Sequence, residues 1–362
     1  MIGEKFSFSV SVLIPVTGLK TINETIESVI HQECAVYEIL ILRNGIQDIP
    51  QGTGVAEKDM YYKDCLIREV FIREKGKGNA LNEGIRRAKY TLICVLDADC
   101  ILQDDALSMA AKHFKNDKVA AVGGRLFVRR EDGSAIEAVQ FCEYMKAFQL
   151  SRRIFARLNA QCLISGAFGI FRKNVLEEMN GYDTNTVGED MELVLRIQDV
   201  CSRKSCNCIV YEPSAVCMTK VPHSVRKLLH QRDRWQRGLM DCLIKHRNMI
   251  ANPFYGLLGL VTMSYQLVVE LLGPVFWAIY MVLLVYKNRV PFFSAVLAGY
   301  ALVQIGLTMF AAYIDLKKNM EILLKWFPKL ILTIIEEMVI QIPIMIARII
   351  GMITFHWRRL VW

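Results

Sequence analysis

Three places in the chain hold residues whose types and spacing could do chemistry. Asp97-Ala98-Asp99 closes an apolar run and sets two carboxylates one residue apart. Such a pair at a strand end offers hard oxygen ligands to magnesium or manganese, whose open positions then take phosphate oxygens. The same two aspartates also suit a turn or a helix cap. Gly188-Glu189-Asp190 precedes an amphipathic run, which places an acidic pair at a helix start; the helix dipole alone favours acids there. Gln231, Arg234 and Trp235 stand at i, i+3 and i+4, so one helical face carries an amide, a guanidinium fork and a flat aromatic wall. That face suits a diphosphate beside a sugar. A basic helix resting on lipid headgroups has the same composition.

The elements that must position these residues follow from pattern. Residues 10–14 read as a strand ended by Pro15, and Thr21 with Glu24 forms a capping box for a helix through about residue 32. Residues 38–42 form the next strand, stopping at the turn signal Arg43-Asn44-Gly45, and residues 68–72 a third. The glycine-rich stretch from Gly76 to Asn82 leads into a helix, and residues 91–96 are the strand that delivers the aspartates. Strand and helix alternate, so the first 120 residues predict an open, mostly parallel α/β sheet. Ligands in such sheets bind beyond the carboxyl ends of the strands. Asn44, Lys77, Asp97 and Asp99 all fall near those ends. Residues 119–122 add a strand, residues 134–158 a long helix, and Gly166-Ala167-Phe168-Gly169 a small-residue loop able to approach a ligand closely.

Composition bounds the class. The 362 residues are 53% hydrophobic with a net charge of +8, and the apolar excess lies after about residue 254. The basic excess suits a membrane surface or a phosphorylated substrate rather than nucleic acid, because no basic stripe interleaved with aromatics stands out. Eleven cysteines, an odd number, argue against a secreted disulfide framework and for a reducing compartment; Cys201, Cys206 and Cys208 match no zinc spacing and are expected to be free thiols. Residues 1–9 carry charged and polar residues before a five-residue apolar run that is too short for a signal peptide or anchor, which places the first domain in the cytosol.

Residues 255–286 carry one charge, Glu270, and residues 290–314 none. About 20 apolar residues cross a bilayer, so the second stretch is a membrane helix and the first a helix with an interfacial lead-in. Glu270, before Gly273-Pro274, is costly in lipid and should face protein or water. Residues 330–355 are broken by Glu336, Glu337, Gln341, Pro343 and Arg348 and are flanked by Lys317, Lys318, Lys325, Lys329, Arg358 and Arg359. Charge on both flanks makes this stretch interfacial or re-entrant; hydrophobic length makes it a third crossing. The expected division is a cytosolic domain over residues 1–250 and interfacial and transmembrane helices over 251–362.

The ordered set of Pro15, Asn44, Gly76 to Asn82, Asp97/Asp99, Gly166, Glu189-Asp190 and Gln231 to Trp235, with membrane helices and Asn252-Pro253-Phe254-Tyr255-Gly256 after it, resembles the membrane-bound family 2 glycosyltransferases. That group contains cellulose, chitin, hyaluronan and poly-N-acetylglucosamine synthases and ceramide glucosyltransferase, and the likeness covers about residues 8–275. It implies a GT-A type, Rossmann-like domain followed by transmembrane helices. It also implies inverting, metal-dependent transfer from a nucleotide sugar, UDP-linked, to a hydroxyl at the cytosolic membrane face. By that resemblance Asp190 is the general base and Asp99, assisted by Asp97, holds Mg2+ or Mn2+. Thr17, Asn44, Lys77, Asp97, Gln231 and Arg234 serve the donor; Gly166, Ala167, Phe168, Glu189 and Trp235 serve the acceptor. The physics agrees: a positioned carboxylate gives general-base catalysis, while metal and Arg neutralise charge growing on the leaving group.

Two departures stand out. Gly18-Leu19 replace an Asn-Glu usual after the first proline, and Asn44 replaces an aspartate that reads uracil. An amide both donates and accepts and so still bonds a base edge. No hydrophobic hairpin precedes Val10, which leaves less wall for a translocation channel unless the protein pairs with itself or a partner subunit. The expected activity is β-linked polysaccharide synthesis in an integral protein of a bacterial cell membrane. Single transfer to a lipid or lipid-linked acceptor is the alternative, and an inactive scaffold or nucleotide sensor the reading of another class.

Overall fold

The computed structural model describes residues 9–18, 22–33, 38–47, 55–62, 65–129, 131, 133–204, 206, 208–286, 290–316, 333 and 339–358. Thr21 of the expected capping box lies outside them, as do Leu19, Lys317, Lys318, Lys325, Lys329, Glu336, Glu337 and Arg359. By internal contacts the chain forms two compact units, each visited twice. Met1–Phe127 with Gln161–Lys220 makes the first, and Val128–Ala160 with Val221–Trp362 the second. These bounds cut the chain elsewhere than at residue 250.

The first unit is built on a nine-stranded sheet. Four strands are mutually parallel: β1 (Val10–Thr17) lies between β2 (Glu38–Asn44) and β5 (Leu92–Leu96), and β4 (Cys65–Ile72) pairs with β2. Their residues are buried nearly end to end, as strands covered on both faces require. Pro15 sits within β1 rather than ending it. The β1–β5 register stops at Leu13↔Val95, so a strand residue without an N–H falls where β1 has only β2 beside it.

The other five strands make the sheet mixed rather than mostly parallel. They are β3 (Val55–Tyr62), β6 (Cys100–Leu102), β7 (Ala121–Val128), β8 (Phe168–Arg172) and β9 (Ile209–Thr219), and the order is β3-β4-β2-β1-β5-β8-β7-β9-β6. β8 is antiparallel to both β5 and β7, and β6 is antiparallel to β9. The helices of this unit include α1 (Asn23–Ile30), α2 (Lys77–Arg87), α3 (Ala106–Ala111), α6 (Lys173–Glu178) and α7 (Glu189–Arg203). Cys201 and Cys208 are joined as a disulfide, contrary to the expectation of free thiols, with Cα atoms 6.2 Å apart. The carboxyl end of α7 and the start of β9 bring them within bridging range. Cys206 remains a thiol.

In the second unit the expected helix over 134–158 is present as one helical run with a π-type turn inside it. Ser134 caps α4 (Ala135–Lys146) by accepting from Glu137 N, a π-type turn runs over Ala147–Ser151, and α5 (Arg152–Arg157) follows. Ser224 caps α8 (Val225–Lys245) in the same way, accepting from Lys227 N. Leu258–Leu271, of π type, meets Gly273–Leu284 at a bend of 44°; the latter lies in α9 (Gly273–Tyr286). Within α10 (Val290–Leu316), Ser294–Asp315 is long and apolar enough to cross a membrane, and the bent pair would be a second span if taken as one. The third apolar stretch appears among the described residues as α11 (Val339–Ile353), followed by α12 (Phe355–Arg358). Glu270 meets protein partners: it pairs with Arg348 at 3.0 Å and accepts from Tyr265 at 2.9 Å.

Candidate active site

β5 ends at Leu96 and hands the chain to Asp97, whose N–H donates to the Ala167 carbonyl at 3.1 Å, tying the aspartate turn to the small-residue loop before β8. Thr25 on α1 holds the other side of the turn by donating to the Ala98 carbonyl at 2.9 Å. The Lys77 ammonium, in the first turn of α2, donates to Asp97 Oδ1 at 2.5 Å and to the Gly166 carbonyl at 2.9 Å. Gly166 N in turn donates to Asp190 Oδ2 at 3.0 Å. Asp97, Lys77, Gly166 and Asp190 thus form one continuous chain of contacts. Gly166 keeps its centre uncrowded, since a Cβ there would lie 3.1 Å from Lys77 Nζ and 3.4 Å from Asp190 Oδ2.

The charges of this cluster act on one another. Burial works against the Lys77 ammonium, but Asp97, Glu189 and Asp190 outweigh it and hold its pKa above the ordinary lysine value, so it stays charged. Asp99 is exposed on one side and crowded by protein on the other. That desolvation, with the Asp97 carboxylate beside it, raises its pKa above the usual carboxylate value. Tyr182 is buried next to the cluster, and burial followed by Glu189, Asp190 and Asp97 pushes its phenol up. Asn82 fixes the Tyr182 backbone from α2, donating to its carbonyl at 2.9 Å and accepting from its N–H at 2.7 Å.

Asp97 and Asp99 fit a divalent cation that leans on its substrate. Among the described residues no group of three or more His, Cys, Asp or Glu gathers to form an all-protein cage. Burial and the neighbouring Asp97 carboxylate both disfavour the charged form of Asp99, a strain that positive charge relieves, and magnesium-like ions commonly take one or two carboxylates and complete their shell with phosphate oxygens.

Other expected site residues fall into different settings. Thr17 ends β1 exposed, in register with Asn44. Asn44 is buried and its amide is engaged: it donates to the Val16 carbonyl at 2.9 Å and accepts from Gly76 N at 3.3 Å, bracing the turn before α2, where Gly76 has φ +117°. Glu189 is buried, whereas Asp190 beside it is half-buried. Ala167 is buried, with its carbonyl held by Asp97. Phe168 departs from the expectation of an acceptor contact through its ring. It is 0% exposed and lies against Gly124, where a Cβ would sit 2.2 Å from its ring, so the side chain is sheet packing.

Gln231, Arg234 and Trp235 lie on α8 of the second unit and are described there alone. Trp235 is 42% exposed, and the Arg232 guanidinium stacks 4.4 Å from its ring centroid. Arg232 is paired with Glu143 of α4. The Gln231 amide oxygen is buried without a hydrogen-bond partner among the described residues. Sequence reasoning missed Tyr182, Arg232 and Glu143. Arg232 stands inside a motif quoted for its neighbours, and Glu143 lies 89 positions from its partner with no local signal.

Residues 10–238 match the family described as Glycosyltransferase like family 2. The chain is 28% identical over 344 residues to a poly-beta-1,6-N-acetyl-D-glucosamine synthase of Staphylococcus epidermidis, covering 89% of this chain and 79% of that one. The synthase of the same name from Staphylococcus aureus (strain COL) is 31% identical over 234 residues, which are 62% of this chain and 53% of that one. Among solved structures, a mannosyltransferase from Pyrobaculum calidifontis in complex with GDP-Man and Mn2+ superposes with a TM-score of 0.54 at 20% identity, over 92% of this chain and 87% of that one. A strand-end aspartate pair, a lysine and glycine linking it to Asp190, and this family match lead to one conclusion: the chain belongs to the family 2 glycosyltransferases and carries their GT-A type fold on a mixed α/β sheet.

Proposed function

We propose that this glycosyltransferase moves a sugar, with inversion, from a UDP-linked donor to a hydroxyl acceptor at the cytosolic face of a membrane, and so extends a β-linked polysaccharide. The observation that carries the reading is the chain of contacts Asp97–Lys77–Gly166–Asp190, which ties a diphosphate-side carboxylate to a half-buried acid through a cation and a backbone amide. Asp190 takes the proton of the attacking hydroxyl at Oδ1 or Oδ2, held in place by Gly166 N and by Met191 N at 2.8 Å. Lys77 stays charged beside the phosphates and fixes the Gly166 turn against which the acceptor lies. Asp99, with Asp97, would hold a divalent ion, which would supply positive charge against the departing diphosphate.

Arg234 and Gln231 are assigned to that diphosphate and Trp235 to the acceptor, on the strength of their motif. A buried Gln231 amide end without a partner supports a ligand contact, and turning the amide over presents its NH2 instead. Asn44 acts through the Gly76 turn that it braces. One displacement at the anomeric carbon converts an α-linked donor into a β-linkage. The synthases from Staphylococcus support a polymer of N-acetylglucosamine as product. Ser294–Asp315, with 18% of its apolar window buried, supports anchoring in a bilayer. The functional division follows residue 250, with catalysis before it and membrane attachment after it.

The test is the full chain purified in detergent and given Mn2+ or Mg2+ with UDP-N-acetylglucosamine, other UDP-sugars and GDP-mannose in parallel. Release of UDP with products of many sugars is expected. No nucleoside diphosphate from any donor rejects the enzyme reading, and a single sugar on a lipid replaces polymer synthesis by the lipid-acceptor alternative.

A further inference from the structure

α11 presents Gln341, Ile344, Arg348 and Gly351 at spacings of three, four and three, one helical face that Phe355 continues after the turn at Thr354. Ile344, Gly351 and Phe355 are buried, while Val339, Ile342, Ile346, Ile350 and Ile353 on the remaining surface are exposed. The polar residues of this apolar helix therefore point into the protein. Three contacts show what they reach. Gln341 Nε2 donates to Glu143 Oε1 at 3.3 Å, Glu143 pairs through its other oxygen with Arg232, and Arg232 stacks on Trp235. Arg348 Nε donates to Gln236 Oε1 at 2.7 Å, and its Nη2 bonds the Glu270 carbonyl and carboxylate. Gly351 lies against Asp233, where a Cβ would come within 2.9 Å of Oδ1 and 3.0 Å of the carbonyl oxygen.

Asp233, Gln236 and, through Glu143, Arg232 all belong to the single turn of α8 that bears Trp235. Gln236 is itself nearly fully buried and continues to the Leu271 carbonyl at 3.0 Å, so the turn is held from the bent Leu258–Leu271 segment as well. We propose that α11 is a latch that sets the orientation of this turn, with Arg348 and Gln341 as positioning residues for the acceptor side of the reaction. The inference rests on the reading that Trp235 lines the acceptor path. An arginine suits the task because its planar fork fixes directions to Gln236 and Glu270 together, which an ammonium on a flexible stem does less well. Loss of the fork leaves a buried amide and a carboxylate to rearrange, and Trp235 moves with them.

The test compares Arg348→Gln, Arg348→Lys and Gln341→Ala in the full chain, using UDP-N-acetylglucosamine as donor and a β-linked N-acetylglucosamine oligosaccharide as acceptor. Trp235 is read separately, as the difference in emission between each protein and the same protein carrying Trp235→Phe. Arg348→Gln should raise the acceptor KM about tenfold and leave the donor KM within about twofold, with a shift in Trp235 emission. Arg348→Lys, which keeps the charge without the fork, should recover only part of that loss, and Gln341→Ala should raise the acceptor KM about threefold. A fall in kcat with both KM values unchanged, or Trp235 emission identical to wild type, overturns the latch. If Arg348→Gln does not accumulate, Gln341→Ala decides by the same two readouts. Failure of the acceptor reading looks different: Trp235→Ala then leaves the acceptor KM unaltered, while emission in the Arg348 variants still reports whether α11 holds the turn.

Discussion

In the first unit Asp97, Lys77, Gly166 and Asp190 are linked in a chain that leaves Asp99 exposed and Asp190 half-buried. In the second, Gln236, Arg348 and Glu270 make a network of similar size that closes on the carbonyls of Glu270 and Leu271 and on Tyr265. Both networks place a cation between a carboxylate and a backbone carbonyl. They differ in what is left over. The first leaves carboxylate oxygens accessible, as the proposed function requires. The second spends its groups on the carbonyls of Glu270 and Leu271, at the end of a helical segment next to a bend, where the ladder leaves carbonyls in need of donors. A charge cluster with accessible oxygens is a site, and one closed on backbone is a joint.

The comparison breaks first at Asp190. Asp190→Asn should lower transfer by roughly 10²- to 10⁴-fold while donor affinity, read by titrating the nucleotide sugar, is retained. Full activity in that protein would remove the proposed base. Asp99→Asn should lower transfer about a hundredfold and raise the Mn2+ concentration needed for half-maximal rate; an unchanged metal titration would place the ion elsewhere. Gly166→Ala forces Lys77 Nζ to yield from a Cβ at 3.1 Å. Transfer should drop about tenfold with stability within about 0.5 kcal/mol, because only the far end of a flexible side chain must move. The smallest effect is expected at the joint. Glu270→Gln should cost about 1 kcal/mol of stability, seen in the thermal midpoint, and leave transfer within about threefold. If instead Gly166→Ala unfolds the protein or Glu270→Gln abolishes transfer, the distinction between site and joint fails.

The aspartate pair, Glu189-Asp190 and the face of Gln231, Arg234 and Trp235 could be singled out, as candidates, because each is a local pattern, readable within five residues. The parallel strands were legible too, since burial on both faces gives continuous apolar runs. What sequence could not supply was the joining of distant groups. Lys77 reaches Gly166 across 89 positions, and nothing near either residue announces the other. β9 was missed because it contains Glu212 and Pro213, which count against a strand, although its burial alternates along most of its length. β6 is only three residues long. Asn44 was read by its type as a base contact, whereas its place at the end of β2 gives its amide to the Gly76 turn. Phe168 was read as loop, but its ring is packed as the first residue of β8. The Cys201–Cys208 bridge was hidden by an odd cysteine count, which says nothing about pairs that a helix end and a strand start bring together.

The double passage of the chain through each unit bears on how the protein is made. β5 acquires β1 as a neighbour early, but its other edge stays open until Phe168–Arg172 has been synthesised, with Val128–Ala160 emerging in between. An unpaired edge of a fully apolar strand invites wrong partners during that interval. The sheet is complete once β9 ends at Thr219, and α9 and α10 have yet to leave the ribosome at that point. Synthesis therefore delivers the whole sheet before its most insoluble segments, and the vulnerable interval lies between β5 and β8.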